Sequence, residues 1–299
     1  MSEPDSNTSP AKRKGMVFLA RLSSTLPLWA IVIAALVLGN RWLAYSLIGG
    51  LGLLAFHEYL KMLDLPGRGS GLMRAVARGC AVGFFIVTFV IFESKGRVDA
   101  GFAEIFIVFL LIALLFGVAF FSEVRGRATL GPIAEITFGF LYIIVLFNFV
   151  TWILWIDDEG KGHLYVFFCL LVTKFADMGA YLVGTLIGRD KMIPHISPGK
   201  TWQGFAGSFV FSLLGGFSVF YIFTSKLPLL TPLHVAVLGV LLTIGAFLGD
   251  LAESVVKRSL GKKDSGNVLP GIGGALDLID SILFTAPVLY FYLAVLKFA

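Results

Sequence analysis

Apolar residues in this chain gather in long unbroken runs, with no two-residue alternation between them. Nine such segments can be drawn, near residues 25–40, 43–62, 75–93, 101–121, 133–156, 163–187, 204–224, 232–255 and 276–296. A helix needs about 20 residues to cross the ~30 Å hydrocarbon core, and tilt or local thinning relaxes that figure. The pattern predicts an all-α, polytopic membrane bundle of about nine transmembrane helices. The first segment is short and ends at Asn40-Arg41. The absence of alternation also argues against an outer-membrane barrel.

Composition agrees. Of 299 residues, 57% are hydrophobic and 14% charged, where a soluble domain carries about a quarter charged. The first 24 residues are polar and basic and read as a disordered cytoplasmic lead. No A-x-A-like site follows the first apolar run, which argues against a cleaved signal peptide. Cys80 and Cys169 lie in separate apolar segments and read as packing residues. Charge placement sets the orientation. Of 24 Lys and Arg, seventeen fall in the lead and the even-numbered connections, six on the opposite side, and Lys174 within a helix. The positive-inside rule then places the N-terminus in the cytoplasm. Trp42, Trp152 and Trp155 fall near segment ends, as an interfacial belt would.

Several charges sit where a membrane helix should have none. An aspartate at a helix centre costs about 2.5–3.5 kcal/mol on insertion scales, so intramembrane acids are functional candidates. Asp250, Glu253 and Lys257 follow at i, i+3 and i+7 on one helical face, with Ser254 beside them. Asp277 and Asp280 are again i and i+3, and Asp177 has Lys174 one turn earlier. These acids could pair with Lys174 and Lys257 simply to lock the bundle, but that leaves several carboxylates unpaired. A divalent metal site is the alternative. Hard carboxylate oxygens suit magnesium, which takes one or two carboxylates plus phosphate oxygens and water. His57, His163, His195 and His234 are scattered without the spacing zinc needs.

Two connections on the predicted cytoplasmic side complement the acids: "IPHISPGKTWQG" (193–204) and "KRSLGKKDSGNVLPGIGG" (257–274). Their glycines allow close backbone approach to an anion. Lys200, Lys257, Arg258, Lys262 and Lys263 offer positive charge for phosphate. Alone, such loops could be ordinary basic loops on acidic lipid. Beside buried carboxylates, they point to metal-bridged polyphosphate chemistry. Neither matches the P-loop pattern, so a Walker-type ATPase is not indicated.

These residues resemble the phosphatidate cytidylyltransferases, the CDP-diacylglycerol synthases. The C-terminal signature of that family is met by Ser254, Lys257-Arg258, Lys263-Asp264, Pro270-Gly271, Gly273-Gly274, Asp277 and Asp280. "GDLAES" (249–254), "ISPGKTWQG" (196–204) and "DMGAYLVG" (177–184) are similar to further family motifs. The likeness is strong over 170–299 and topological before that. Three positions depart: Ile272 stands where the family usually has histidine, Leu278 where it has arginine, and Gln203 where it has glutamate.

The resemblance implies cytidylyl transfer from CTP to phosphatidate, giving CDP-diacylglycerol and pyrophosphate. It implies Asp250 and Asp277 as principal metal ligands, with Asp280, Glu253 and Asp177 in or behind them, and Asp250, Asp277, Lys257 and Lys263 as the catalytic set. Ser197, Lys200, Thr201, Arg258, Lys263, Asp264, Gly273 and Gly274 would bind phosphates. Mg²⁺ would be the cofactor, with room for a second, monovalent cation. CTP, phosphatidate and membrane lipid would be the partners, with no nucleic acid, and a homodimer is compatible. The organisation expected is a lead over 1–24, transmembrane helices over 25–160, and a catalytic region over 161–299 with loops 188–203 and 257–275. The site would face the cytoplasm from a bacterial inner membrane.

Rival readings differ in specific features. A CTP-dependent polyprenol or phytol kinase would need a base for a neutral hydroxyl and fits the C-terminal signature less well. A degenerate relative would follow if the missing histidine or arginine were essential. CDP-alcohol phosphotransferases need a D-G-x-x-A-R run that the chain lacks. An ion-coupled transporter would use acids near midplane and favour internal repeats, of which none is visible.

Overall fold

The computed structural model describes residues 34, 39–65, 69–94, 97–121, 126–157, 160–266 and 273–298. The lead and nearly all of the predicted segment 25–40 lie outside these, as do Pro270, Gly271 and Ile272 of the C-terminal motif. The described chain is almost wholly helical: α1 (Arg41–Met62), α2 (Ser70–Ser94), α3 (Arg97–Phe120), α4 (Arg127–Gly139), α5 (Leu146–Leu154), α6 (Gly162–Ile187), α7 (Trp202–Ile222), α8 (Pro232–Ser259) and α9 (Ala275–Phe298). A π-helical stretch, Phe140–Val145, joins α4 to α5, so Arg127–Leu154 is one span. Among the described residues, eight helices are long and apolar enough to cross a membrane.

Local chemistry sets the helix starts. Asn40 accepts the Leu43 amide at 3.2 Å and caps α1. Thr201 accepts the Gly204 amide at 3.2 Å and caps α7. Thr231 caps α8, with Pro232 in its first turn, where a missing N–H costs nothing. The predicted loop before α7 is more ordered than its Pro-Gly content suggests. Lys191–Ile193 (β1) and Ser197–Thr201 (β2) form a short antiparallel hairpin with Lys191 opposite Thr201.

Water gives no help in joining helices within lipid, so close backbone approach and hydroxyl pairs do that work. The most extensive helix pair is α6 with α7. A Cβ on Gly207 would lie 2.5 Å from Val183, and one on Gly204 2.6 Å from the Ala180 carbonyl. Thr243 of α8 donates to Ser212 of α7 at 2.6 Å, and Thr173 of α6 to Thr285 of α9 at 3.0 Å. Cys80 and Cys169 are buried and free, as packing residues would be.

The tryptophans divide. Trp42 is 64% exposed, whereas Trp155 is 8% exposed and stacks on Phe92 at 5.2 Å. Trp152 donates its indole N–H to Glu104 at 3.0 Å. Trp155 is thus a core residue, because Tyr45, Phe89 and Phe92 build an aromatic cluster around it.

Candidate functional site

The last turns of α8 and the first turns of α9 meet at the end of the bundle that carries the hairpin. There Gly249 lets the two backbones touch, for a Cβ would lie 2.5 Å from the Asp280 carbonyl. That approach brings carboxylate oxygens of Asp250, Glu253 and Asp280 within 4.8 Å of one another. Helical spacing put Asp250 and Glu253 on one face; the glycine adds Asp280.

Three lysines enter the same region. Lys257 bridges Glu253 and Asp277, at 2.7 Å each. Lys200, from β2, reaches Asp250 at 2.9 Å and lies 4.3 Å over the Phe247 ring. Lys174 pairs with Asp177 at 3.3 Å and donates to the Leu278 carbonyl at 3.2 Å. Asp177 also accepts the Ser281 hydroxyl at 3.3 Å. Asp277 is the most heavily bonded acid: besides Lys257, it accepts the Ser265 hydroxyl and the Gly274 amide, both at 2.8 Å.

Lys174, Asp177, Lys200, Asp250, Asp277 and Asp280 line one cavity of about 540 Å³; Glu253 and Lys257 are joined to it through the Lys257–Asp277 ion pair. Ser197, Thr201, Thr243 and Phe247 complete its wall. Five carboxylates (Asp177, Asp250, Glu253, Asp277 and Asp280) gather with three ammonium groups (Lys174, Lys200 and Lys257), a formal excess of two negative charges. A divalent cation would offset it. The donor set, hard oxygens with Glu253 Oε1 buried and unpartnered among the described residues, fits such an ion.

Not every residue singled out in the sequence comes together. Asp277 and Asp177 line the cavity but stand outside the three-carboxylate cluster, each held by a lysine. Arg258, Lys263 and Asp264 are exposed, and Arg258 donates to the Lys262 carbonyl at 3.4 Å. Gly273 holds φ +116, a conformation that suits glycine, at the entry to α9. Gln203 bonds Asp190 at 2.6 Å and accepts the amides of Arg189 and Asp190, fastening the hairpin to α7.

The sequence profile of the Cytidylyltransferase family matches residues 19–296. This chain belongs to the cytidylyltransferase family. It is 30% identical over 279 residues to the uncharacterized protein YnbB of Escherichia coli, covering 89% of this chain and 84% of that protein. It is 38% identical over 184 residues to the phosphatidate cytidylyltransferase of Bacillus subtilis, covering 62% and 66%. With that of Mycobacterium bovis it shares 32% over 301 residues, covering 98% and 93%.

Two site residues of this cytidylyltransferase escaped sequence reasoning. Ser265 fixes Asp277 from the loop after α8. Glu58, 3% exposed near the end of α1, accepts the Leu276 amide at 3.1 Å. Its signal was present: an acid inside the apolar segment 43–62 is an intramembrane charge like the others.

Proposed function

We propose that this enzyme transfers the cytidylyl group of CTP to phosphatidate, giving CDP-diacylglycerol and pyrophosphate. The observation that carries the reading is one cavity, at the end of a membrane bundle, lined by acids from three helices (α6, α8 and α9) and lysines from α6 and β2. A phosphatidate oxygen attacks the α-phosphorus of CTP. The new P–O bond forms as the bond from that phosphorus to the β-bridging oxygen breaks, and pyrophosphate leaves with the electron pair. The attacking oxygen is already anionic, so no strong base is required. The obstacle is bringing anions together, and preorganised positive charge is the remedy.

Asp250, Glu253 and Asp280 would hold Mg²⁺, which when bound offsets phosphoryl charge and orients its oxygens. Lys200 is held at the cavity wall by Asp250 and the Phe247 ring, so its ammonium needs little reorganisation to meet a phosphate. Lys174, paired with Asp177, lines the same cavity. Lys257 fixes Asp277 rather than reaching outward. Ser197 and Thr201 offer hydroxyls on the hairpin side. Nucleotide enters from the cytoplasm of a bacterial inner membrane, and the diacyl chains stay in lipid.

Pyrophosphate release by detergent-purified protein given phosphatidate, CTP and Mg²⁺ tests this, with ATP in place of CTP and Asp277→Asn as controls. Release that needs the lipid and CTP and is lost in the variant supports the reading. No release from folded wild-type protein overturns it.

A further inference from the structure

Helix α9 starts without a capping side chain of its own. Ala275 is its first residue, so the cap position falls to Gly274. Ser, Thr, Asp or Asn normally stands there and accepts an amide of the first turn. Gly274 cannot, and the structure says why it is glycine. A Cβ there would run into the Ser265 hydroxyl and lie 2.6 Å from Glu58 Oε2. The missing acceptor arrives from elsewhere: Glu58 Oε2 takes the Leu276 amide at 3.1 Å, across 218 residues of chain.

The other half of the cap is present locally. Asp277, at the third helical position, reaches back to the Gly274 amide at 2.8 Å. That is the acidic arm of a capping box. The box is thus divided between two helices, and Asp277 belongs both to it and to the ion pair with Lys257. A carboxylate at this end of α9 is also favoured by the helix dipole. Gly266 approaches from the loop, where a Cβ would strike Glu58 Oε1. Glu58 is therefore enclosed by the backbone that presents Asp277.

We propose that Glu58 is a positioning residue that caps α9 from α1 and so holds Asp277 at the cavity. The role that this gives the N-terminal half is a direct one: α1 supplies a carboxylate to the start of the helix bearing Asp277 and Asp280. The structural part stands by itself; its consequence for turnover rests on the function proposed above.

Hydrogen–deuterium exchange of the full chain in detergent, read by mass spectrometry, tests the cap, with turnover measured in parallel. Glu58→Ala speeds exchange over residues 273–278 by about tenfold or more, with α2 and α6 unchanged. Glu58→Gln keeps an acceptor oxygen within reach of Leu276 and returns exchange to within about threefold of wild type. Glu58→Asp, one methylene short, behaves like the alanine variant. In the activity assay, Glu58→Ala lowers kcat about tenfold or more while the KM for phosphatidate moves less than about threefold. Unchanged exchange over 273–278 in Glu58→Ala overturns the proposal. So does equal acceleration in every helix, which marks general loosening. If wild-type protein releases no pyrophosphate, the proposed function fails, and the exchange comparison still decides the cap.

Discussion

Gly249 lies against Asp280. Built onto Gly249, a Cβ would sit 2.5 Å from the Asp280 carbonyl oxygen and 2.9 Å from Ser281 Cα. Both neighbours are backbone and cannot swing aside. Gly249→Ala should force α8 and α9 apart at the level where Asp250, Glu253 and Asp280 converge. Overpacking of this kind costs about 1–3 kcal/mol. Thermal unfolding in detergent should show a lower midpoint, and turnover should fall further than the midpoint alone explains. A variant with wild-type midpoint and turnover would mean that the helices have slack at this crossing.

Lys257 holds two acids at once, Glu253 and Asp277, at 2.7 Å each. Its side chain is 13% exposed and that of Glu253 3%. Removing one member of a buried pair strands the other charge, at a cost of about 3–5 kcal/mol. Lys257→Met should therefore destabilise the protein strongly. Lys257→Met combined with Glu253→Gln should recover part of the loss, because one of the two stranded carboxylates is then gone. A double-mutant cycle on unfolding free energies checks this. Strict additivity would show that the pair is worth nothing.

Much of the architecture was legible because its rules are local. Hydrophobic runs exposed the spans, and helical periodicity alone placed Asp250, Glu253 and Lys257 on one face. What remained hidden depends on contacts between distant segments. Asp280 joins Asp250 and Glu253 only because Gly249 permits the helix crossing, which no spacing within α9 reveals. The partners of Asp277, a metal ligand by resemblance, were hidden too: its oxygens accept from Lys257, Ser265 and Gly274. The hairpin was hidden because Pro198 and Gly199 carry turn propensity and its strands are short. Trp155 looked interfacial by position; only the packed ring cluster of α1, α2 and Trp155 itself shows it buried.

Gln203 occupies a position where the resembled family usually has glutamate. Its amide donates to Asp190 at 2.6 Å while its oxygen accepts two backbone amides. Gln203→Glu keeps the acceptor but sets a second carboxylate oxygen against Asp190. The lost hydrogen bond costs about 0.5–1.5 kcal/mol, confined to the hairpin. Hydrogen exchange over residues 190–201 should quicken about three- to tenfold with the bundle's melting midpoint unchanged. The double variant Gln203→Glu, Asp190→Asn should slow it again. Equal exchange in wild type and Gln203→Glu would show that Asp190 is not held by residue 203.

The cation proposed for Asp250, Glu253 and Asp280 should be measurable without turnover. Mn²⁺ is a suitable probe, since it takes the same hard oxygen ligands and its free aqua ion gives a strong paramagnetic resonance signal. Titrated into purified protein, it should lose that signal as it binds, and EDTA should restore it. Asp280 is 8% exposed and its carboxylate closes the cluster from α9. Asp280→Asn keeps shape and removes one charge, so Mn²⁺ affinity should fall about tenfold or more. Asp250→Asn should weaken binding at least as much, because it removes another of the three carboxylates and leaves the Lys200 ammonium, its partner at 2.9 Å, uncompensated beside the ion. Asp64→Asn, in the exposed turn after α1, should leave the titration as it was. Equal affinity in wild type and Asp280→Asn would move the ion away from this cluster and towards Asp177 or Asp277.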